Sequence, residues 1–306
     1  MFRPVSGLFS VFVFGLIPES SGKTTVCMAV ARGLRLRGWN VGAFKPRSGH
    51  SYWYHHDIYV KCRGEGRLYS WDILRLSHAC EYVLFPLEVL NPVDALFSPP
   101  DRLTLDPHLV EVHFANPFFE LVAERYTLLN DTPQVTICLN GVNLETDNLL
   151  FKDWSYIEEL KRKAGRVIVV ESLEEWNEVY SRYAPLAIRS CYGAVCRRSD
   201  VVVVEGFNDA VCPDPELSFD LALGVSPGAV FMYDGERLRT AVEAAATSSR
   251  DPRNLEARSV IDLLKPEAAI KTPVLTSRDV ADSDKLALKL GELVDKVEEK
   301  MKQIAI

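Results

Sequence analysis

"GLIPESSGKTTV" occupies residues 15–26 and follows directly on the apolar run "LFSVFVF" at 8–14. The run has strand length and is rich in Val and Phe, as a fully buried parallel strand would be, so a strand is expected over Leu8–Gly15. From Gly22 onward, Val26, Val30 and Leu34 recur at helical spacing, and Gly38 ends the pattern. "NVGAFKP" (40–46) then supplies a second short strand. Strand, loop, helix and strand in this order make a βαβ unit of a parallel sheet, with the second strand expected beside the first.

Gly22, Lys23 and Thr24 fit the second half of the phosphate-binding loop GxxxxGK[ST]. In that loop backbone N–H groups wrap the phosphates, the lysine supplies charge and the hydroxyl reaches Mg²⁺. The first half departs from the pattern: Ile17 stands where the opening glycine belongs, and the nearest glycine, Gly15, lies two residues earlier. A chance GKT at a helix start is the competing reading. The buried strand before it and the helix after it favour the phosphate loop. The residues expected to line a nucleotide are Gly15, Glu19, Ser20, Ser21, Gly22, Lys23, Thr24 and Thr25.

The 306 residues carry a formal net charge of −7, with 47% hydrophobic and 25% charged residues, an ordinary globular composition. The acidic balance leaves no overall basic footprint for nucleic acid or an anionic membrane, so neither is expected as a partner. The seven cysteines, at 27, 62, 80, 138, 191, 196 and 212, are irregularly spaced and form no CxxC pair. Reduced thiols of a cytoplasmic protein are therefore expected, not a zinc or redox motif. No apolar run reaches the ~18 residues of a membrane span. The N-terminal apolar stretch lacks a small-residue cleavage site and leads straight into GKTT, so it reads as a buried strand and not as a signal peptide.

Further along, residues 47–105 read as loops and short helices, with "LYSWDILRLSHA" placing Leu68, Trp71, Leu74 and Leu76 near helical spacing. "LVEVHF", "RYTLL" and "QVTICL" within 107–145 are strand-like and are set aside as an insertion at approximately 106–165 in a single domain spanning 1–306. "DWSYIEELKRKA" and "ESLEEWNEVYSRY" look helical, the second opened by a capping box at Ser172 and Glu175. "DVVVVEGF" (200–207) is the clearest strand in the chain, and "GAVFMYDG" (228–235) is another, followed by a helix from Glu236. Leu286, Leu290, Leu293, Val297 and Met301 form one stripe of a final amphipathic helix.

The loop, "AFKP", "SWDILRL", "LNPVDALFSPPD" and "VVVVEGF", in this order, together resemble the dethiobiotin synthetase family of P-loop enzymes, which includes cobyrinic acid amide synthetase relatives. In that family the opening glycine is likewise displaced outward from GKT, and a Lys-Pro ends the second strand. The resemblance covers the motif-bearing parts of 8–105 and 199–207. It implies a doubly wound, mostly parallel α/β sheet, ATP and Mg²⁺ as cofactors, and a small-molecule substrate, with a homodimer left open.

By the same resemblance, Lys23 neutralises the terminal phosphates and Thr24 gives its hydroxyl to Mg²⁺. Asp72 and Glu205 supply the metal-side carboxylates, and Lys45 faces the reacting groups, with Ser48, one residue nearer the Lys-Pro than the family's serine, as a further catalytic candidate. A carboxylate at the carboxyl end of a buried strand does sit where open α/β sheets bind ligands. The family has glycines soon after the strand-end glutamate, whereas this chain has Asn208 and Asp209. The nucleotide chemistry is therefore carried over and the dethiobiotin reaction is not.

"HSYWYHHD" (50–57) has no counterpart in the resemblance. His50, His55, His56 and Asp57 are candidate metal ligands, but adjacent histidines seldom share one ion. Three interleaved aromatics make a lip for a small organic substrate the sharper reading, beside Lys45 and Ser48.

Two classes of function follow. One is a Mg-ATP-dependent synthetase or ligase that activates a carboxylate-type group by phosphoryl transfer. The other is a nucleotide-dependent switch or delivery ATPase or GTPase, including a GTP-binding adaptor of the molybdopterin-guanine-dinucleotide type. Pro18 stands where many delivery ATPases carry an extra lysine, and the absence of NKxD tilts the base towards adenine.

Overall fold

Seven buried residues in a row, Phe9–Gly15, form the first strand, and the lack of polar alternation reflects burial on both faces. In the computed structural model, which describes residues 7–101, 106–109, 116–246 and 251–304, the strands in chain order are β1 (Phe9–Gly15), β2 (Val41–Phe44), β3 (Arg47–Ser51), β4 (Val93–Phe97), β5 (Leu121–Leu129), β6 (Pro133–Asn140), β7 (Arg166–Val170), β8 (Val201–Glu205), β9 (Leu221–Ser226), β10 (Ala229–Asp234) and β11 (Ala268–Lys271). The helices are α1 (Lys23–Leu36), α2 (His56–Glu65), α3 (Trp71–Cys80), α4 (Leu87–Leu90), α5 (Gly141–Glu145), α6 (Trp154–Lys163), α7 (Leu173–Cys196), α8 (Gly235–Ala245), α9 (Ser277–Ala281), α10 (Ser283–Lys289) and α11 (Gly291–Ile304).

The fold is α/β, with two mixed sheets in two compact units. The first unit comprises Met1–Pro46, Asp72–Pro86 and Tyr192–Ile306; the second comprises Arg47–Trp71 and Leu87–Cys191. The second sheet is thus more extensive than the segment 106–165 set aside on sequence, since it also takes in β3, β4 and β7.

The first unit holds a six-stranded sheet in the order β11-β10-β9-β1-β8-β2. The strands β9, β1, β8 and β2 run parallel, and β10 and β11 add antiparallel pairs at one edge. Here the expected neighbour relation is corrected: β8, not β2, pairs with β1. The four valines of β8 are fully buried, and a central position covers both of their faces. Against α1 packs α11, at Gly33, where an added Cβ would lie 2.6 Å from the Val294 side chain. The C-terminal stripe runs from α10 through the intervening Leu290 into α11, and all five of its apolar residues are buried.

The second unit holds a five-stranded sheet in the order β3-β4-β5-β6-β7. β3 and β4 fall where loops and short helices were expected, and they pair parallel with Ser48 opposite Asp94. The expected strands at "RYTLL" and "QVTICL" are β5 and β6; most of "LVEVHF" lies outside the described residues. Ser172 accepts from Glu175 N, but Glu175 returns its bond to Glu171 N, one residue earlier than the capping box requires. From there α7 runs on past Pro185 to Cys196.

At the centre of the second unit is Arg125, whose guanidinium is buried. Its Nε donates to Leu68 O at 2.7 Å, and Nη1 to Pro92 O at 3.1 Å and Glu88 O at 3.3 Å. Further donors reach Asn91 O and the Thr127 hydroxyl. These bonds meet the requirement that a buried cation be saturated with acceptors.

Among the described residues no helix is long and apolar enough to cross a membrane. All seven cysteines are free thiols.

Candidate functional site

Strand register decides which residues meet. Val13 lies opposite Glu205, and Phe44 opposite Val204. The carboxyl ends of β1, β8 and β2 therefore finish together. They deliver the loop after Gly15, the Glu205 carboxylate and the Lys45 ammonium to one edge of the sheet, the edge where open α/β sheets bind ligands. Asp72 arrives from the first turn of α3.

The displaced glycine has a steric cause. A Cβ on Gly15 would lie 2.7 Å from Ile17 O and 2.9 Å from Asn208 O, so no side chain fits there. Beyond it Ser20 and Gly22 both adopt left-handed φ, at 55° and 95°, and α1 begins at Lys23. Left-handed residues just before a helix turn successive N–H groups towards one point, the geometry of an anion cradle. Of the expected lining residues, Glu19, Ser20 and Gly22 are exposed, Lys23, Thr24 and Thr25 are half-buried, and Gly15 and Ser21 are buried.

Four side chains close on one another. Thr24 Oγ1 lies 2.8 Å from Glu205 Oε1 and 3.2 Å from Asp72 Oδ1. Lys45 Nζ lies 2.9 Å from the same Glu205 oxygen, 2.8 Å from Asp72 Oδ2 and 3.2 Å from Gly206 O. Lys23 Nζ reaches back to Ser21 Oγ at 3.4 Å. Glu205 is closed to solvent, and its Oε2 has no hydrogen-bond partner.

Titration follows from this packing. Burial acts on Lys45 downward, but Asp72 and Glu205 outweigh it and hold its ammonium above the ordinary range. Burial, and then Lys45, push Lys23 below it. On Asp72 burial acts upward and Lys45 more than offsets it, so the carboxyl is held low. Glu205 is pushed up, by burial and then by Asp72. Two lysines and two carboxylates balance in formal charge, and a buried oxygen is left unsatisfied.

Ser48 belongs to the second unit. Its buried hydroxyl lies 2.6 Å from Asp94 Oδ1 and 2.9 Å from Asn91 Oδ1. The four candidate metal ligands of "HSYWYHHD" separate. His50 is buried on β3, with Nδ1 3.3 Å from Asp94 Oδ2 but no hydrogen bond on either ring nitrogen. His55, His56 and Asp57 instead line a cavity of about 350 Å³ with Trp53, Tyr54, Ile58 and Trp71. Trp71 falls on the apolar stripe of its helical pattern, yet it is 43% exposed. Sequence reasoning misses its place in the cavity because one exposed aromatic at helical spacing looks the same as a buried one. It also misses the carbonyl of Gly206 as a partner for Lys45, since backbone acceptors leave no mark on a sequence. Among the described residues no group of three or more His, Cys, Asp or Glu side chains is placed to hold a metal by itself.

No protein-family model matches the chain, and the comparison with curated proteins returned no match.

Proposed function

We propose that the first unit is a P-loop NTPase of the doubly wound α/β type that binds Mg-ATP and uses it to activate a carboxylate-type group on a small molecule. The observation that carries this reading is the meeting of the Thr24 hydroxyl, Asp72, Glu205 and Lys45 at the carboxyl edge of parallel strands, beside Lys23. Buried charges are costly to keep, so the closed Lys45–Glu205 pair, gathered with the half-buried Asp72 and Lys23 around one helix start, favours a binding role over a stabilising one.

The donor set fits Mg²⁺. The groups offered are a hydroxyl and two carboxylates, all hard oxygens, and Glu205 Oε2 is buried without a partner. Magnesium is commonly held by one or two carboxylates plus nucleotide phosphates, not by an all-protein cage. Thr24, Asp72 and Glu205 would hold the ion directly or through water, and Lys23 with the loop N–H groups would hold the phosphates. When bound, Mg-ATP supplies a transferable phosphoryl group. Lys45 is set to stabilise charge that develops at the reacting end. The hydroxyl of Ser48 is engaged with Asp94 and Asn91, so Ser48 is left out of the catalytic set.

A nucleotide panel tests the reading, with turnover measured for ATP and GTP, with and without small carboxylic acids. Turnover with ATP that rises with one acid is expected. Hydrolysis indifferent to every acid would favour the switch or delivery class, and the absence of nucleotide binding would remove both.

A further inference from the structure

The cavity formed by the turn after β3 is built from the second unit alone. Its lining includes three aromatic side chains that folding leaves uncovered: Trp53 is 58% exposed, Tyr54 67% and Trp71 43%. Three large aromatics left exposed around one cavity of about 350 Å³ form an apolar surface that a ligand can cover.

The turn is held in place. Tyr52 N donates to Phe97 O at 3.0 Å, His55 N to Ser51 O at 2.8 Å and Trp53 N to Ser51 Oγ at 3.2 Å. Behind it Tyr52 stacks on Phe151 with centroids 4.4 Å apart. The cavity is therefore preformed, which lowers the entropic cost of binding.

Its charge selects the ligand. No Lys or Arg lines the cavity, and Asp57 is its sole carboxylate. Nδ1 of His55 accepts from Ser51 N at 3.3 Å. Nδ1 of His56 lies 3.3 Å from Tyr52 O, so the ring is turned back onto the turn's own backbone. The lining thus offers three aromatic side chains and one carboxylate with no lysine or arginine beside them, whereas the first turn of α2 supplies only a partial positive charge.

We propose that this cavity binds an organic ammonium group, with Trp53, Tyr54 and Trp71 supplying cation–π contacts and Asp57 the counter-charge. The proposal is independent of the nucleotide reading, and its test uses no nucleotide.

The test is calorimetric titration of the full chain with choline and with 3,3-dimethyl-1-butanol, its uncharged isostere. Saturable choline binding is expected, with the isostere at least about tenfold weaker. Trp53→Ala and Asp57→Asn alter exposed side chains, so both variants should fold. Either substitution should weaken choline binding about two- to fivefold or more, as for an exposed cation–π or surface charge pair, while Asp57→Asn leaves the isostere unaffected. Equal binding of the two probes would overturn the proposal in favour of an apolar pocket. Preference for a carboxylate probe would instead make it an anion site at the α2 N-terminus. Absence of choline binding, or Trp53→Ala altering only self-association on a sizing column, would also overturn it.

Discussion

Lys45 Nζ and Glu205 Oε1 are 2.9 Å apart, and both side chains are closed to solvent. The same oxygen accepts from Thr24, so the end of β2, the end of β8 and the start of α1 are joined at one atom. Removing the lysine leaves a buried carboxylate without its counter-charge. Lys45→Met should cost about 3 kcal/mol at neutral pH, the low end for a broken buried pair, because Glu205 can relieve itself by taking up a proton. Denaturant titration measures the loss. Adding Glu205→Gln should restore part of it, and a double variant no more stable than the single would show that the pair is not what matters.

Binding and turnover should separate at the two lysines. Lys23→Ala should weaken Mg-ATP by about 1.5–3 kcal/mol, the worth of a charge-assisted hydrogen bond, or about ten- to a hundredfold. Lys45→Ala should leave nucleotide affinity nearly intact while cutting turnover. Calorimetry and single-turnover kinetics on both variants decide this. Unchanged ATP affinity with full activity in Lys23→Ala would sink the nucleotide assignment. Lost binding in Lys45→Ala would make Lys45 a phosphate clamp.

Asp72→Asn and Glu205→Gln should each raise the Mg²⁺ concentration needed for half-maximal turnover, by about tenfold or more. Glu205→Gln should have the larger effect, since its Oε2 is the buried oxygen without a partner. Magnesium titrations matching the parent in both variants would show that the metal is held elsewhere.

Asp153 gives the second unit an acid-sensitive joint. It caps α6 through Tyr156 N at 3.1 Å and accepts from Tyr59 Oη at 2.6 Å, Ser155 Oγ at 2.7 Å and Arg63. Burial acts on it upward, but the Tyr59, Ser155 and Arg63 hydrogen bonds outweigh that and hold its carboxyl well below the usual range. A depressed folded value means stability that is complete above the unfolded value of about 3.9 and is lost as pH falls through the folded one. Asp153→Asn should therefore cost about 1.5 kcal/mol at pH 7, with the gap to the parent closing only below about pH 4. A gap that is constant with pH would show that the cap, not the charge, is at work.

The parts legible in sequence are those where one physical pattern dominates. β1 and β8 stand out because fully buried apolar runs show plainly, α1 because its apolar residues recur at helical spacing, and Lys23, Thr24, Lys45, Asp72 and Glu205 are picked out by the resemblance around them. β3 is illegible because "RSGHS" buries polar groups: Ser48 and His50 face Asp94, so no apolar alternation appears. The neighbour of β1 is easily misassigned because sequence order favours β2, while burial on both faces favours β8. Partners across the second unit, such as Arg125 with Leu68, Glu88 and Asn91, arise from long-range packing that no local pattern carries.

That arginine has a consequence for modularity. Residues 68 on one side, and 88, 91 and 92 on the other, flank the excursion 72–86 that belongs to the first unit. One guanidinium thus gathers both lips of the gap, as a suture holds a wound, without any covalent crosslink. The loop-closure entropy of that seam is offset inside the second unit itself. A short glycine-serine bridge in place of 72–86 would join ends that Arg125 already draws together.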